Sequence, residues 1–341
     1  MSALVDRLVV VRVLVCPDKF KGTATALAVA DAMCAAAEEL GHDCQCLPLA
    51  DGGEGTLAAL GGANRRSSIT GPLGERVEAE WRLDRRTAVI EMAEAAGLVL
   101  AGGATENDPL TASTRGVGEL IVEAIDAGAR TIIVGVGGSA TTDGGLGALE
   151  AIGSAVRLVG VDVLVACDVR TGFVEAATVF APQKGASNVQ VELLRRRLER
   201  LAGDYLEEYG VDVLSLERAG AAGGLAGGLA AFGATLVDGF DVVAEAVDLA
   251  DAMDGVDLVL TGEGFLDNES FEGKVVGGVV KLAAEAGVPV VAVAGQVFDH
   301  ADDRLRTLSL AEVFGLDRAM DEPLECINDA VASLLEQAIG D

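Results

Sequence analysis

Histidine is nearly absent: His42 and His300 are the only two in 341 residues, and both lie outside the polar motifs described below. A Ser-His-Asp arrangement therefore has no base to draw on. The six cysteines (16, 34, 44, 46, 167 and 326) include no CxxC pair, which speaks against zinc. Most sit in apolar runs, so buried free thiols in a reducing cytoplasm are expected. Cys44 and Cys46 would share one face if their segment is a strand. The chain has no GxxxxGK[ST], and no GxGxxG follows its first apolar run. Those absences remove P-loop enzymes and disfavour a dinucleotide Rossmann site. The longest uncharged run, residues 219–237, is broken by six glycines, so no membrane span is expected. The opening stretch MSALVDRLVVVRVLV is apolar, but Asp6, Arg7 and Arg12 interrupt it and it lacks a signal-peptide layout.

Positive charge is the other scarcity. Fifty-four acidic residues face 25 basic ones, a net charge of −29. So acidic a surface repels nucleic acid and anionic membranes. Lysine occurs only at 19, 21, 184, 274 and 281; the other cations are arginine. An acidic, lysine-poor composition suits a protein working in high salt, where screening limits self-repulsion. An ordinary acidic cytosolic protein is the plainer alternative. In either case the few lysines stand out, and three of them lie inside Gly-rich motifs with Lys19 beside one.

Glycine is abundant, with 44 residues, and aromatics are few. Together with half the residues being hydrophobic, this suits an α/β protein with tight strand-to-helix turns. The repeating unit is a β-branched run, a Gly/Asp turn and an Ala/Leu-rich helix. RVLVCPDKF reads as a strand entering a turn; Thr23 is expected to cap a helix through about Leu40, stopped by Gly41. CQCLPLA, DLVLTGEG, VPVVAVAGQV and AEVFGL read as further strands, with helices at 274–287 and 323–339. Five buried parallel strands drawn from both chain ends make a doubly wound sheet. The middle differs. RRSSITGPLGERVEAEWRLDRRTAVIEMA alternates polar and apolar residues around a GPLG turn, which predicts antiparallel strands. SNVQVELLRRRLERLAGDYLEEYG is an amphipathic helix whose RRRLER run forms a solvated face, and AGAAGGLAGGLAAFG suggests tight helix packing. The expected organisation is an α/β domain from residues 1–70 and 248–341, an inserted α/β domain over 71–247, and an active site in the cleft between them.

Four polar, Gly-rich segments interrupt the apolar chain at or near predicted strand ends, where open α/β sheets gather ligands. In PDKFKGT, Lys21 precedes a helix whose N-terminal amides attract anions. In ADGGEGT, Asp51 and Glu54 form an acid pair of the kind Mg²⁺ takes alongside phosphate oxygens and water; an Asx turn and a helix start are the bland reading. In GGSATTDGG, Gly138, Ser139, Thr141 and Thr142 offer phosphate or hydroxyl contacts, and Asp143 a base or metal ligand. In TGEGFLDNESFEGK, Gly262 and Gly264 bracket Glu263 and permit close backbone approach, with Asp267, Ser270 and Lys274 following. A long acidic loop is the alternative there. Acids, lysines and glycine loops together favour phosphoryl transfer, which needs charge neutralisation and alignment more than a covalent nucleophile.

This ordered set resembles the glycerate kinase type-1 family over nearly the whole chain. The matching segments are PDKFKGT, PLADGGEGT, IEMAEAAGL, DPLTASTRGVGELI, GGSATTDGG, FAPQKGA, GAAGGL…DGFDVV and TGEG…D…S…GK. The resemblance implies a Rossmann-like doubly wound parallel-sheet domain with an inserted α/β domain. It implies ATP and Mg²⁺ as cofactors, D-glycerate as substrate, and 2-phosphoglycerate as product. The alternatives are 3-phosphoglycerate, a kinase of a related hydroxy acid, or a cytoplasmic protein that binds small acids without catalysis. A metal-dependent lyase or isomerase on phosphorylated acids is a further rival, and a homodimer is one possible assembly. Asp51, Glu54 and Glu263 would hold the metal. Lys21 and Lys274 would neutralise phosphate or carboxylate charge. Asp143, or Asp168, would receive the hydroxyl proton; Ser139 and Thr141 would position substrate, and Lys184 would add an anion contact. The chain departs from the family pattern at Lys19 for Ser, Thr142 for Asn, Arg115 for an aromatic, Phe265 for Arg and Val276 for Pro. CDVRTGF stands where the family has CDVxNPL, and Lys19 would be the cation that compensates for the lost arginine.

Overall fold

The computed structural model describes residues 10–271 and 273–340; most of the N-terminal stretch read above lies outside them. Among these residues run β1 (Arg12–Val15), β2 (Asp43–Cys46), β3 (Arg65–Thr70), β4 (Arg76–Asp84), β5 (Thr87–Glu91), β6 (Thr131–Gly135), β7 (Asp162–Cys167), β8 (Thr235–Asp238), β9 (Leu258–Leu266), β10 (Val290–Val297) and β11 (Thr307–Ser309). The chain divides into two compact units, one of residues 1–50 with 244–341 and one of residues 51–243.

The first unit holds a five-stranded sheet in the order β11-β10-β9-β1-β2, parallel throughout. The central strands are apolar on both faces, as parallel strands covered by helices must be. Val13, Val15, Leu260 and Val293 meet Met33 of the helix Ala26–Glu39 and Ile327 of the helix Pro323–Gly340. Each such aliphatic side chain contributes about 1.5–3 kcal/mol on full burial. The N-cap of the first helix is Thr25, whose hydroxyl accepts from the Ala28 amide, and not Thr23 as the sequence suggested. Thr23 instead donates its hydroxyl to the Phe20 carbonyl and closes the preceding turn. AEVFGL, expected as a strand, is helical from Leu310 to Phe314, because Ser309 caps it on the Glu312 amide. The expectation of free thiols also fails at one place: Cys34 and Cys46 form a disulfide.

The second unit holds a six-stranded sheet, β3-β4-β5-β6-β7-β8. β3, β4 and β5 pair antiparallel and β5 to β8 pair parallel. The alternating sequence of the first three strands gives one covered and one wet face; the apolar runs of β6 and β7 are covered on both. β3 thus belongs to this sheet, and the first segment of the other unit ends at Ala50 rather than at residue 70. Trp81, Ile90, Leu120, Val134, Val165 and Leu198 lie in one continuous core. The long helix Asn188–Tyr209 starts from a complete capping box between Ser187 and Gln190. Its Arg195 and Arg196 pair with Glu192 on the solvent side, while Arg197 donates to the Leu110 carbonyl.

Candidate functional site

In the first unit, polar residues gather where β1 and β9 end. The amide of Asp18 donates to the Gly262 carbonyl at 2.8 Å, which ties the PDKFKGT loop to the TGEG strand. Gly264 allows that approach, since a Cβ there would lie 3.1 Å from the Lys21 amide nitrogen, while Gly262 lets β9 pack on the Val293 carbonyl of β10. Asp18 is buried and accepts from the Lys19 amide at 2.7 Å, with the Lys19 ammonium 3.6 Å from the same oxygen. Lys21 is exposed. It borders a small cleft with Phe20, Gly264, Phe265, Gln296 and Met320.

Glu263 is the chemically unusual member. Burial raises its carboxyl to about 7; Asp18 and Asp267 add to the rise, while Ser270 and Lys274 oppose it. Its Oε1 is buried and has no hydrogen-bond partner among the described residues. Asp267 and Ser270 form a closed turn. The Asp267 amide donates to Ser270 Oγ, and Asp267 Oδ1 accepts from the Ser270 amide at 3.1 Å. Lys274 is the N-cap residue of the helix Val275–Ala286, with its ammonium 3.5 Å from Glu269. A lysine at a helix start adds its charge to the N-terminal amides, which makes the place attractive to anions.

In the second unit, the loop after β2 packs on the loop after β6. The Val136 amide donates to the Gly52 carbonyl at 3.0 Å. A Cβ on Gly137 would lie 2.7 Å from Gly53 Cα and 2.9 Å from the Glu54 nitrogen, so the two glycine loops touch backbone to backbone. Asp51 Oδ1 accepts from the Gly53 amide in the Asx turn the sequence allowed, and Glu54 is exposed. Glu91, quoted within IEMAEAAGL but not singled out, does more than either. Its Oε1 accepts from the Gly55 and Leu57 amides at 3.0 and 2.7 Å, and its desolvation, softened by these bonds, raises its carboxyl. The missed signal is an acid closing the otherwise apolar strand TAVIE.

GGSATTDGG is held from several sides. Asp143 is buried, and Oδ2 accepts from the Thr114 amide and hydroxyl and the Gly147 amide, while Oδ1 accepts from the Gly145 amide. Tyr205 donates its hydroxyl to the Gly144 carbonyl. Lys184 is buried and donates to the Thr141 carbonyl at 2.6 Å; burial lowers its ammonium to about 7, against the pull of Asp143. Asn107, not named from the sequence, donates to both the Ala140 and Lys184 carbonyls and so joins this loop to PQKG. Lys184 is therefore a loop support here rather than an exposed anion contact. Gly138 takes φ +67° and accepts from the Leu98 amide, and Ser139 bridges to Gly97. Thr141 and Thr142 are fully buried, and their hydroxyls have no partner among the described residues. Asp168 is half-buried just beyond β7, and Arg218 spans the neighbouring ends, donating to the Cys167 carbonyl and pairing with Asp238 at 2.9 Å.

Comparison with known proteins agrees with this arrangement of motifs. The family model described as the glycerate kinase family matches residues 13–157 and 154–340. The glycerate kinase of Halalkalibacterium halodurans is 38% identical, with 96% of each chain covered. The glycerate 2-kinase of Escherichia coli strain K12 is 39% identical over 84% of this chain and 86% of its own. A crystal structure described as glycerate kinase 2 from Salmonella typhimurium LT2 superposes with a TM-score of 0.81 at 34% identity, covering 96% of this chain and 99% of that one. The two sheets and the motifs at their strand ends are thus the parts of an established family, and the chain is a member of the glycerate kinase family.

Proposed function

We propose that the protein is a glycerate 2-kinase, transferring the γ-phosphoryl group of ATP to the 2-hydroxyl of D-glycerate. The observation that carries the proposal is Glu263: a half-buried carboxylate with one buried oxygen that has no partner among the described residues, beside Asp18, Asp267 and Lys274, in a member of this family. A carboxylate oxygen held that way has acceptor capacity left over and fits a hard cation that prefers oxygen donors. Mg²⁺ matches that donor chemistry, and Glu263 is the residue of this unit proposed to hold it; Asp51 and Glu54 are the acids the second unit offers to the same kind of ion. When bound, the ion supplies charge neutralisation at the phosphate oxygens.

The chain's own residues do the rest. Lys274 and Lys21 place ammonium groups at or near a helix start, where they neutralise anionic oxygens. Asp143 fixes the loop that carries Ser139, Thr141 and Thr142, and its four accepted hydrogen bonds make it a positioning residue. The buried hydroxyls of Thr141 and Thr142 have donor and acceptor capacity to give a substrate. Asp168 is the acid left to orient the attacking hydroxyl, which suffices because the phosphoryl transition state is loose. The proposed compartment is the cytoplasm. ADP release with D-glycerate, Mg²⁺ and high KCl tests the proposal, and phosphorus NMR of the product distinguishes the 2- from the 3-phosphate. Absence of turnover across small hydroxy acids, with binding retained, would make the protein a binder instead.

A further inference from the structure

Away from all these motifs, three of the six cysteines converge in the first unit. Cys34 projects from the helix Ala26–Glu39, and Cys44 and Cys46 lie on the same face of β2. The sulfurs all lie within 4.8 Å of one another, and the Cys44 thiol is 2.7 Å from the Cys34 sulfur. Cys34 and Cys46 are joined as a disulfide, and Cys44 is left as a thiol beside it. A single disulfide explains two of these residues and leaves the third unaccounted for.

We propose that the reduced form of this cluster is a binding site for a soft, thiophilic metal ion of the copper(I) class, and that the disulfide is its metal-free oxidised form. The donor set is the first support. Three sulfurs with no imidazole among them suit soft ions far better than hard ones. The spacing is the second. Metal–sulfur bonds of about 2.3 Å set the sulfurs of a trigonal site about 4 Å apart, inside the span seen here. Access is the third: β2 is an edge strand, and Cys44 and Cys46 are half-buried, so an ion from solvent meets them before the buried Cys34. The nearby Glu38 carboxylate acts on Cys44 and adds negative charge that favours a cation. Two steps link the forms. A dithiol reductant gives two electrons and two protons to the Cys34–Cys46 bond and is itself oxidised to a disulfide. The ion then displaces one proton from each of three thiols and gains three sulfur bonds.

The test uses the full chain, reduced with a dithiol and desalted without oxygen, then titrated with Cd²⁺ in excess Mg²⁺ and KCl. The salt suppresses binding to surface carboxylates, and the thiolate-to-cadmium charge-transfer band reports sulfur ligation alone. One ion per chain is expected. Cys44→Ser should weaken binding at least about tenfold, since even partners outside the ligand shell are worth about 10–100-fold. Cys326→Ser should leave the band unchanged. On the unmutated protein, Cd²⁺ should shield Cys34, Cys44 and Cys46 from alkylation, as read by peptide mass spectrometry, which removes any dependence on a variant folding. Absence of the band in the reduced protein, or unchanged alkylation of these three, would overturn the proposal. So would a band of equal strength in Cys44→Ser.

Discussion

Asp143 and Glu91 in the second unit and Glu263 in the first are held in opposite ways. In the second unit, Asp143 accepts four hydrogen bonds and Glu91 accepts two from backbone amides, so each acid has its charge answered by the protein. In the first unit, Glu263 has an oxygen with no partner among the described residues and a carboxyl that burial raises to about 7. A satisfied buried acid holds a loop; an unsatisfied one carries a cost the protein relieves only when something binds. Burial alone does not separate these roles, and neither does position at a strand end. The partner list does.

The sharpest way to break the comparison is at Glu263 and Lys274. Glu263→Gln and Lys274→Ala should each lower kcat at least about 100-fold, as loss of a key electrostatic group does. Neither should lower the melting temperature of the ligand-free protein, because neither removes a packed, satisfied contact. Steady-state kinetics and calorimetry on the same samples check both halves, and a large loss of stability in Glu263→Gln would erase the distinction.

Asp143→Asn should show the reverse balance. An asparagine turns an NH₂ toward donors, and hydrogen bonds to charged groups are worth about 1.5–3 kcal/mol each. Unfolding in denaturant should show a loss of about 2–4 kcal/mol, and turnover should fall about 100-fold because the loop it holds is misplaced. Wild-type stability in this variant would show that the four bonds to Asp143 do not hold the loop.

Lys184 sharpens the comparison through pH. Its folded pKa lies below its unfolded one, at about 7 against 10.5, so the unfolded chain binds more protons between those values. Its contribution to stability is therefore present above pH 10.5 and lost as pH falls to about 7. The stability of wild type relative to Lys184→Met should rise with pH across this window, and a flat difference would remove the burial penalty. The smallest effect is expected at Thr25→Ala, about 1 kcal/mol for loss of an N-cap, with kinase activity unchanged.

Much of this was legible in the residues. Apolar β-branched runs gave four of the five parallel strands of the first sheet, β1, β2, β9 and β10, and the alternation from Arg65 to Glu91 gave the antiparallel ones of the second. The helix Asn188–Tyr209 was visible from its amphipathic period. AEVFGL misled because an apolar run of that length fits either element, and a serine cap decided for helix. Asn107 and Glu91 escaped notice because a lone polar residue shows no period; their role lies in which distant carbonyls and amides they meet.

The order of the motifs along the chain determined the family and the type of chemistry by itself, since residue types and spacings are local properties. Tertiary structure alone decided which acids are satisfied, that Lys184 is buried, and that Cys34 reaches Cys44 and Cys46. Those are properties of through-space contacts between segments far apart in sequence, and burial and hydrogen bonding arise only when such segments are brought together.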